Sequence, residues 1–157
     1  MSTEHPFNER HFSIQRLYLK DLSFESPNAP DIFRGPWKPQ HELTLNTRIT
    51  ALETSVYEVV LAVTATVKVE DKTAFLVEVQ QAGIFVAQGF TEEELRPLLG
   101  AYCPALLFPY AREVISDLST KGSFPPLILQ HINFDVLFAQ HQPQDAAESK
   151  DSPKAQG

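Results

Sequence analysis

The chain has 157 residues, 43% of them hydrophobic, enough for one compact domain with a real core and too apolar for wholesale disorder. Its formal charge of −7 disfavours nucleic acid as a general partner, because phosphate binding needs a basic surface. A single cysteine, Cys103, rules out an internal disulfide framework and a cysteine-based zinc site, and fits a reducing compartment.

Residues 1–10 are polar and read as a loose N-terminus; they lack the basic-then-apolar pattern of a secretory signal. From His11 to Ser26 the pattern has period two, a first strand. Strict alternation puts Phe12, Ile14, Tyr18, Leu22 and Phe24 on one face, with Arg16 and Lys20 interrupting. It puts Leu17, Leu19, Asp21 and Glu25 on the other. A loop follows from Pro27 to Pro39, about a dozen residues, a length usually reserved for functional or disordered segments. Its prolines forbid a central strand or a helix, yet it carries Ile32, Phe33 and Trp37. Such side chains need a cover, from the protein itself or from a partner.

His41 to Ala51 alternates as a second strand, with Leu43, Leu45, Thr47 and Ile49 on one face. A third strand runs from Tyr57 to Val69, and a fourth begins at Thr73 with Phe75, Val77 and Val79 opposite Leu76, Glu78 and Gln80. The tight turns between these three predict an antiparallel meander. Thr91 with Glu94 forms a capping box that opens a helical region. Pro97, Gly100, Pro104 and Pro109 are expected to break or kink it. The better helix has Leu107, Ala111, Val114, Ile115 and Leu118 on one stripe and ends at Lys121-Gly122. Asn133 is placed to cap a last helix with Phe134, Leu137 and Phe138. The domain is expected over 11–142, with a polar, disordered tail over 143–157. Strands followed by helices predict an α+β fold, helices on one face of a four-stranded antiparallel sheet.

Little in the chain carries catalytic chemistry. Cys103 reads either as a nucleophile or as a small buried side chain, and no base stands near it in sequence. The histidines are dispersed, no metal-ligand spacing occurs, and no phosphate-binding glycine loop exists, so no cofactor is expected and the chain is not read as an enzyme. No run approaches the length of a membrane span, so direct membrane insertion is not expected. Asp21, Glu25 and Glu78 read as an acid–base pair, a wetted strand face, or an acidic docking patch centred on Leu76. Phe33, Trp37, Phe134 and Phe138 read either as core or as a groove between loop and last helix for an extended apolar peptide.

Four blocks now resemble one family. They are KDLSFESPNAP (20–30), TAFLVEVQQAGIF (73–85), LGAYCPALLFPYARE (99–113) and PPLILQHINFDVL (125–137). Together they resemble SecB, the bacterial protein-export chaperone, over about residues 12–140. The resemblance implies a homotetramer, a dimer of dimers, whose protomers have a Greek-key sheet with a crossover loop and the first strand beside the fourth. It implies an ATP-independent cytoplasmic chaperone that holds unfolded secretory precursor proteins and delivers them to SecA, the translocation ATPase. The alternative is a SecB-like chaperone dedicated to one partner, such as a toxin–antitoxin system. By the same resemblance, SecA contacts fall on Asp21, Glu25, Leu76 and Glu78. Tetramer-sensitive positions fall on Val77, Val79 and Gln81. A client-peptide groove would use Phe33, Trp37, Leu43, Leu45, Phe134, Leu137 and Phe138. Val77 stands where the family commonly has a cysteine, and 88–94 matches the family only loosely.

Overall fold

A computed structural model describes residues 9–141. The expected tail over 143–157, and most of the expected N-terminal extension, lie outside the described residues. Arg10 is tied down: it pairs with Glu94 and lies 5.8 Å from the centre of the Phe90 ring.

Four strands form one antiparallel sheet: β1 (His11–Glu25), β2 (Gln40–Glu53), β3 (Val56–Val69) and β4 (Lys72–Gln88), in the order β1-β4-β3-β2. Two-residue turns join β2 to β3 and β3 to β4. Glu70 and Asp71 both take positive φ, 52° and 68°, the backbone that matches the twist of a tight hairpin. β1 pairs with β4, so the chain leaving β1 must cross two strands to start β2. That is three inter-strand spacings, roughly 14 Å, and it explains the long loop. A 3₁₀ turn at Asp31–Arg34 shapes the crossing. Asn28 Nδ2 donates to Thr73 O at 2.8 Å and Ser26 Oγ to Ala74 O at 3.2 Å, fastening the crossing to the start of β4.

The strict alternation expected for β1 is corrected by two bulges. Pairing with β4 slips between Ile14 and Arg16 and again between Leu19 and Asp21. Each extra residue shifts every later side chain to the other face. Leu17 and Leu19 therefore join Phe12, Ile14, Leu22 and Phe24 on one face, while Arg16, Tyr18, Asp21 and Glu25 share the other. The strand resolves its mixed pattern by bulging at Gln15 and Lys20.

The helical layer covers the apolar face. α1 (Glu92–Pro97) starts in the expected capping box: the Thr91 amide donates to Glu94 Oε1 at 2.9 Å, and the Glu94 amide to Thr91 Oγ1 at 3.2 Å. The prolines interrupt the run without ending it: α1 closes at Pro97. A single π turn, Leu98–Tyr102, carries it into α2 (Cys103–Lys121), and the Cys103 amide reaches back to Leu98 O. Pro104 sits in the first turn of α2, where its missing donor costs little. Pro109 would have donated to Ala105, and both face solvent, which can satisfy the freed carbonyl. α2 stops at Lys121-Gly122 as expected, but not through a left-handed glycine. Gly122 has φ of −80°, and the left-handed residue is Ser123, at 71°. Glycine is required at 122 for space, since a Cβ there would meet Phe24 Cζ at 2.5 Å.

The core lies between the sheet and α2. Val59, Leu61, Val63, Phe75, Val77, Val79 and Phe85 meet Leu107, Ala111 and Ile115, all almost fully buried. Each such side chain contributes about 1.5–3 kcal/mol of burial. Beyond α2 the chain runs back without regular structure, burying Phe124, Leu127 and Leu129. Buried Ser119 fastens this return: its Oγ donates to Ser116 O at 2.8 Å and accepts the Leu127 amide at 2.9 Å. α3 (134–141) then begins, capped by Asn133, whose Oδ1 accepts the Val136 amide at 3.2 Å.

Candidate functional surfaces

The helix side of the sheet leaves β2 only partly covered, and two clefts open along it. The first, about 310 Å³, lies between β2 and α3 and is lined by Leu45, Thr47, Ile49, Phe134, Leu137 and Phe138. Phe134 packs edge-on against Phe108, 5.6 Å between ring centres, and is itself buried, so it forms the floor. Phe138 lies against Gly100 of the π turn, where a Cβ would come within 2.5 Å of the ring. That close approach seats α3.

The second cleft, about 330 Å³, lies between the crossover loop, the start of β2 and the return segment. Trp37, His41, Pro126 and Ile128 wall it, over a floor of Val67 and Phe75. An aromatic chain holds the loop here. Phe33 and Trp37 stand 5.1 and 5.7 Å from Phe124, which stands 4.7 Å from Phe75. Phe33 and Trp37 still keep 46% and 36% of their surface exposed, so packing fixes them without consuming them.

The structure thus places the loop aromatics away from those of the last helix. Two clefts lie along the surface expected for the groove, one with Phe33 and Trp37 beside it, the other with Leu45, Phe134, Leu137 and Phe138. Leu43, 41% exposed, lies between them on the same face of β2. Sequence reasoning missed Phe124, the hub of the loop cluster, and Ile128, 70% exposed. The apolar run after Pro125-Pro126 was the available signal.

The opposite face of the sheet carries the charged side chains. The register brings Asp21, Glu25, Leu76 and Glu78 together: Asp21 opposes Gln80, Ser23 opposes Glu78, and Glu25 opposes Leu76. The carboxylates are exposed and Leu76 is half-buried. Glu42 adds a carboxylate on β2, 3.7 Å from Lys68. At the far end of this face Glu58 accepts from Lys20 Nζ at 2.8 and 2.9 Å and from the Tyr18 hydroxyl. The Lys20 hydrogen bonds, then that of Tyr18, hold the Glu58 carboxyl below its ordinary pKa. Burial first, and the anion second, push the Tyr18 phenol up to about 12.

Val77, Val79 and Gln81, expected to bear on tetramer assembly, point to the helix side and are 0%, 0% and 4% exposed. They reach a partner only through the elements that cover them. Cys103 is fully buried, and desolvation pushes its thiol up to about 12, which leaves it protonated near neutral pH. Among the described residues no helix is long and apolar enough to cross a membrane, and no cluster of metal-ligating side chains occurs.

Comparison with known proteins agrees with this architecture. A family model for the preprotein translocase subunit SecB matches residues 6–145. The protein-export protein SecB of Methylococcus capsulatus is 55% identical over 140 residues, which cover 89% of this chain and 90% of that one. Its namesake in Legionella pneumophila is 51% identical over 153 residues, covering 96% and 94%. A solved Mycobacterium tuberculosis SecB-like chaperone, in complex with a peptide from an antitoxin, superposes with a TM-score of 0.65 at 21% identity. The match covers 77% of this chain and 90% of that one, and it bears on the fold. With the family model spanning nearly the whole described domain, the chain belongs to the SecB family.

Proposed function

We propose that this protein is an ATP-independent export chaperone of the cytoplasm. It holds unfolded precursor proteins in a translocation-competent state and passes them to SecA. The observation that carries the reading is the pair of apolar clefts on one face of β2, bridged by the exposed Leu43. Side chains presented this way suit extended, non-native chain of no fixed sequence. One client side chain buried in a cleft contributes about 1.5–3 kcal/mol before costs, too little to hold a polypeptide. Repeated clefts on a homotetramer make later contacts intramolecular and raise avidity.

Assembly has material to work with. Ile14, Leu19, Leu22, Tyr102 and Tyr110 are all large and exposed, on the helix-side face of β1 and on the helical layer. Burying such side chains between copies would turn the helices inward and the charged faces outward. There Asp21, Glu25 and Glu78 around Leu76 fit a basic segment of SecA. On this reading release would come from SecA binding and precursor handover. Relatives at 51–55% identity bear protein-export names, which favours general export over a dedicated antitoxin partner.

Native mass spectrometry with an unfolded precursor tests the reading. The expected species is a tetramer carrying the client chain. A stable monomer without affinity for non-native polypeptide would overturn it.

A further inference from the structure

The charged sheet face has two ends of opposite sign. Asp21, Glu25, Glu78 and Glu42 occupy one end, against Lys68. Arg16, Lys20 and Arg48 occupy the other, against Glu58 and, at the hairpin edge, Glu53. Between them lie the neutral side chains Gln80, Ala62 and Asn46, while Ala82 and Val60, in the row of Tyr18 and Arg48, are buried. In a chain of formal charge −7, an excess of cations on one end of one face is not the default. Nor is it a loose collection. The Lys20 and Tyr18 bonds to Glu58 reach from β1 to β3 across β4, and they fix Lys20 over the sheet. Arg16 and Arg48 flank that bridge from β1 and β2, exposed. Lys20 owes its place to the second bulge of β1, which lifts it out of the alternation just before Asp21.

We propose that this face is a dipolar track that docks one partner segment carrying both a basic and an acidic block. The basic block would lie on the Asp21–Glu78 end and the acidic block on the Arg16–Arg48 end. The inference rests on the acidic patch being the docking site of the partner and adds a second contact that fixes the segment's direction. On β2 the ends are well separated for this, while on β1 Lys20, which adjoins Asp21, is already paired with Glu58. Arg48 and Glu42 lie six residues apart on β2, roughly 20 Å along the strand, beyond the screening length of about 8–10 Å at ordinary salt. Glu42 therefore does not cancel Arg48, and with Lys20 held by Glu58 the cations offered to an acidic block are Arg16 and Arg48. Two weak exposed contacts on one segment act together when the linker spans the gap.

The test uses the full-length protein and two synthetic peptides. One is a block of lysines. The other joins the same block to a block of glutamates through a Gly/Ser spacer of about 12 residues, whose mean reach is roughly 20 Å. Affinities are measured at low salt by fluorescence anisotropy. The two-block peptide should bind about 3–10-fold tighter than the lysine block, and 0.5 M salt should erase the difference. In the double variant Arg16→Gln/Arg48→Gln the advantage should fall towards one, with client capture and circular dichroism unchanged. Equal affinity of the two peptides for the parent, or an advantage that survives the double variant, overturns the dipolar track while leaving the acidic patch intact. A lysine block that ignores Glu78→Lys overturns the patch and the track together. Self-association of the parent that the arginine variant abolishes would assign the face to a second copy and overturn the proposal as well.

Discussion

The two faces of this sheet are built from the same four strands and could hardly differ more. The helix side is an interdigitated core that thins out at β2, where side chains are anchored at one end and exposed at the other. The outer side is polar, with its charges sorted along the strands. Strand alternation separates the two roles at the level of single residues: Val77 and Val79 lie in the core, while Leu76 and Glu78 face out. On the proposed reading, an apolar client and a charged partner would then be held at once without competing for surface. The lesson is that in a single-sheet protein, parity along a strand can assign function as surely as position in the sequence.

That contrast can be broken most severely from within. Leu107→Ala removes a fully buried contact between α2 and the sheet. It should cost about 2–5 kcal/mol in chemical denaturation and weaken both surfaces together, because each needs the sheet held to α2. A smaller, one-sided effect should follow from Phe33→Ala/Trp37→Ala. Capture of an unfolded client should weaken by about tenfold, the worth of one buried aromatic contact, with affinity for a basic partner peptide unchanged. An unchanged client dissociation constant would return both side chains to a purely structural role. Glu78→Lys is the mirror image. It should lower affinity for a basic partner peptide several-fold at low salt, with a shallower salt dependence, and spare the clients. If clients suffer equally, the two faces are not independent.

The smallest effect concerns Glu58. Its carboxyl is held below its ordinary pKa, so the stabilisation it supplies is complete above that ordinary value and is lost as pH falls through the folded one. Glu58→Gln should lower stability modestly at neutral pH and flatten the acid limb, so that parent and variant converge as pH falls through the folded value. Tyr18 acts at the other extreme. Its phenol is raised to about 12, so its contribution holds below the ordinary phenol value and fades as pH climbs through the folded one. Tyr18→Phe should blunt the alkaline limb.

Much of the fold was legible because its signals are local. β3 and β4 alternate cleanly, the capping box at Thr91 is two side chains, and Asn133 caps where expected. β1 misled because bulges leave no local mark: Leu17 and Leu19 look misplaced until pairing with β4 is known. Pro97 and Gly100 mark the π-turn interruption as expected, but Pro109 misled for a related reason. Its cost depends on whether the freed carbonyl meets water, and Pro109 lies on the wet side of α2. The site residues were legible one by one, but not their grouping. Phe33 and Trp37 lie near Phe124 rather than Phe138 because the crossover carries them to the return segment, a fact of topology that no spacing encodes.

The pairing of β1 with β4 has a consequence for how this protein is made. Glu25 finds its mate in Leu76 and His11 in Gln88, so the first strand leaves the ribosome well before its neighbour exists. At about 5–20 residues per second, it waits for several seconds with Ile14, Leu17, Leu19 and Leu22 uncovered. The later hairpins, by contrast, close as soon as they are synthesised. A chain that shelters unfinished polypeptides must itself pass through an interval as one.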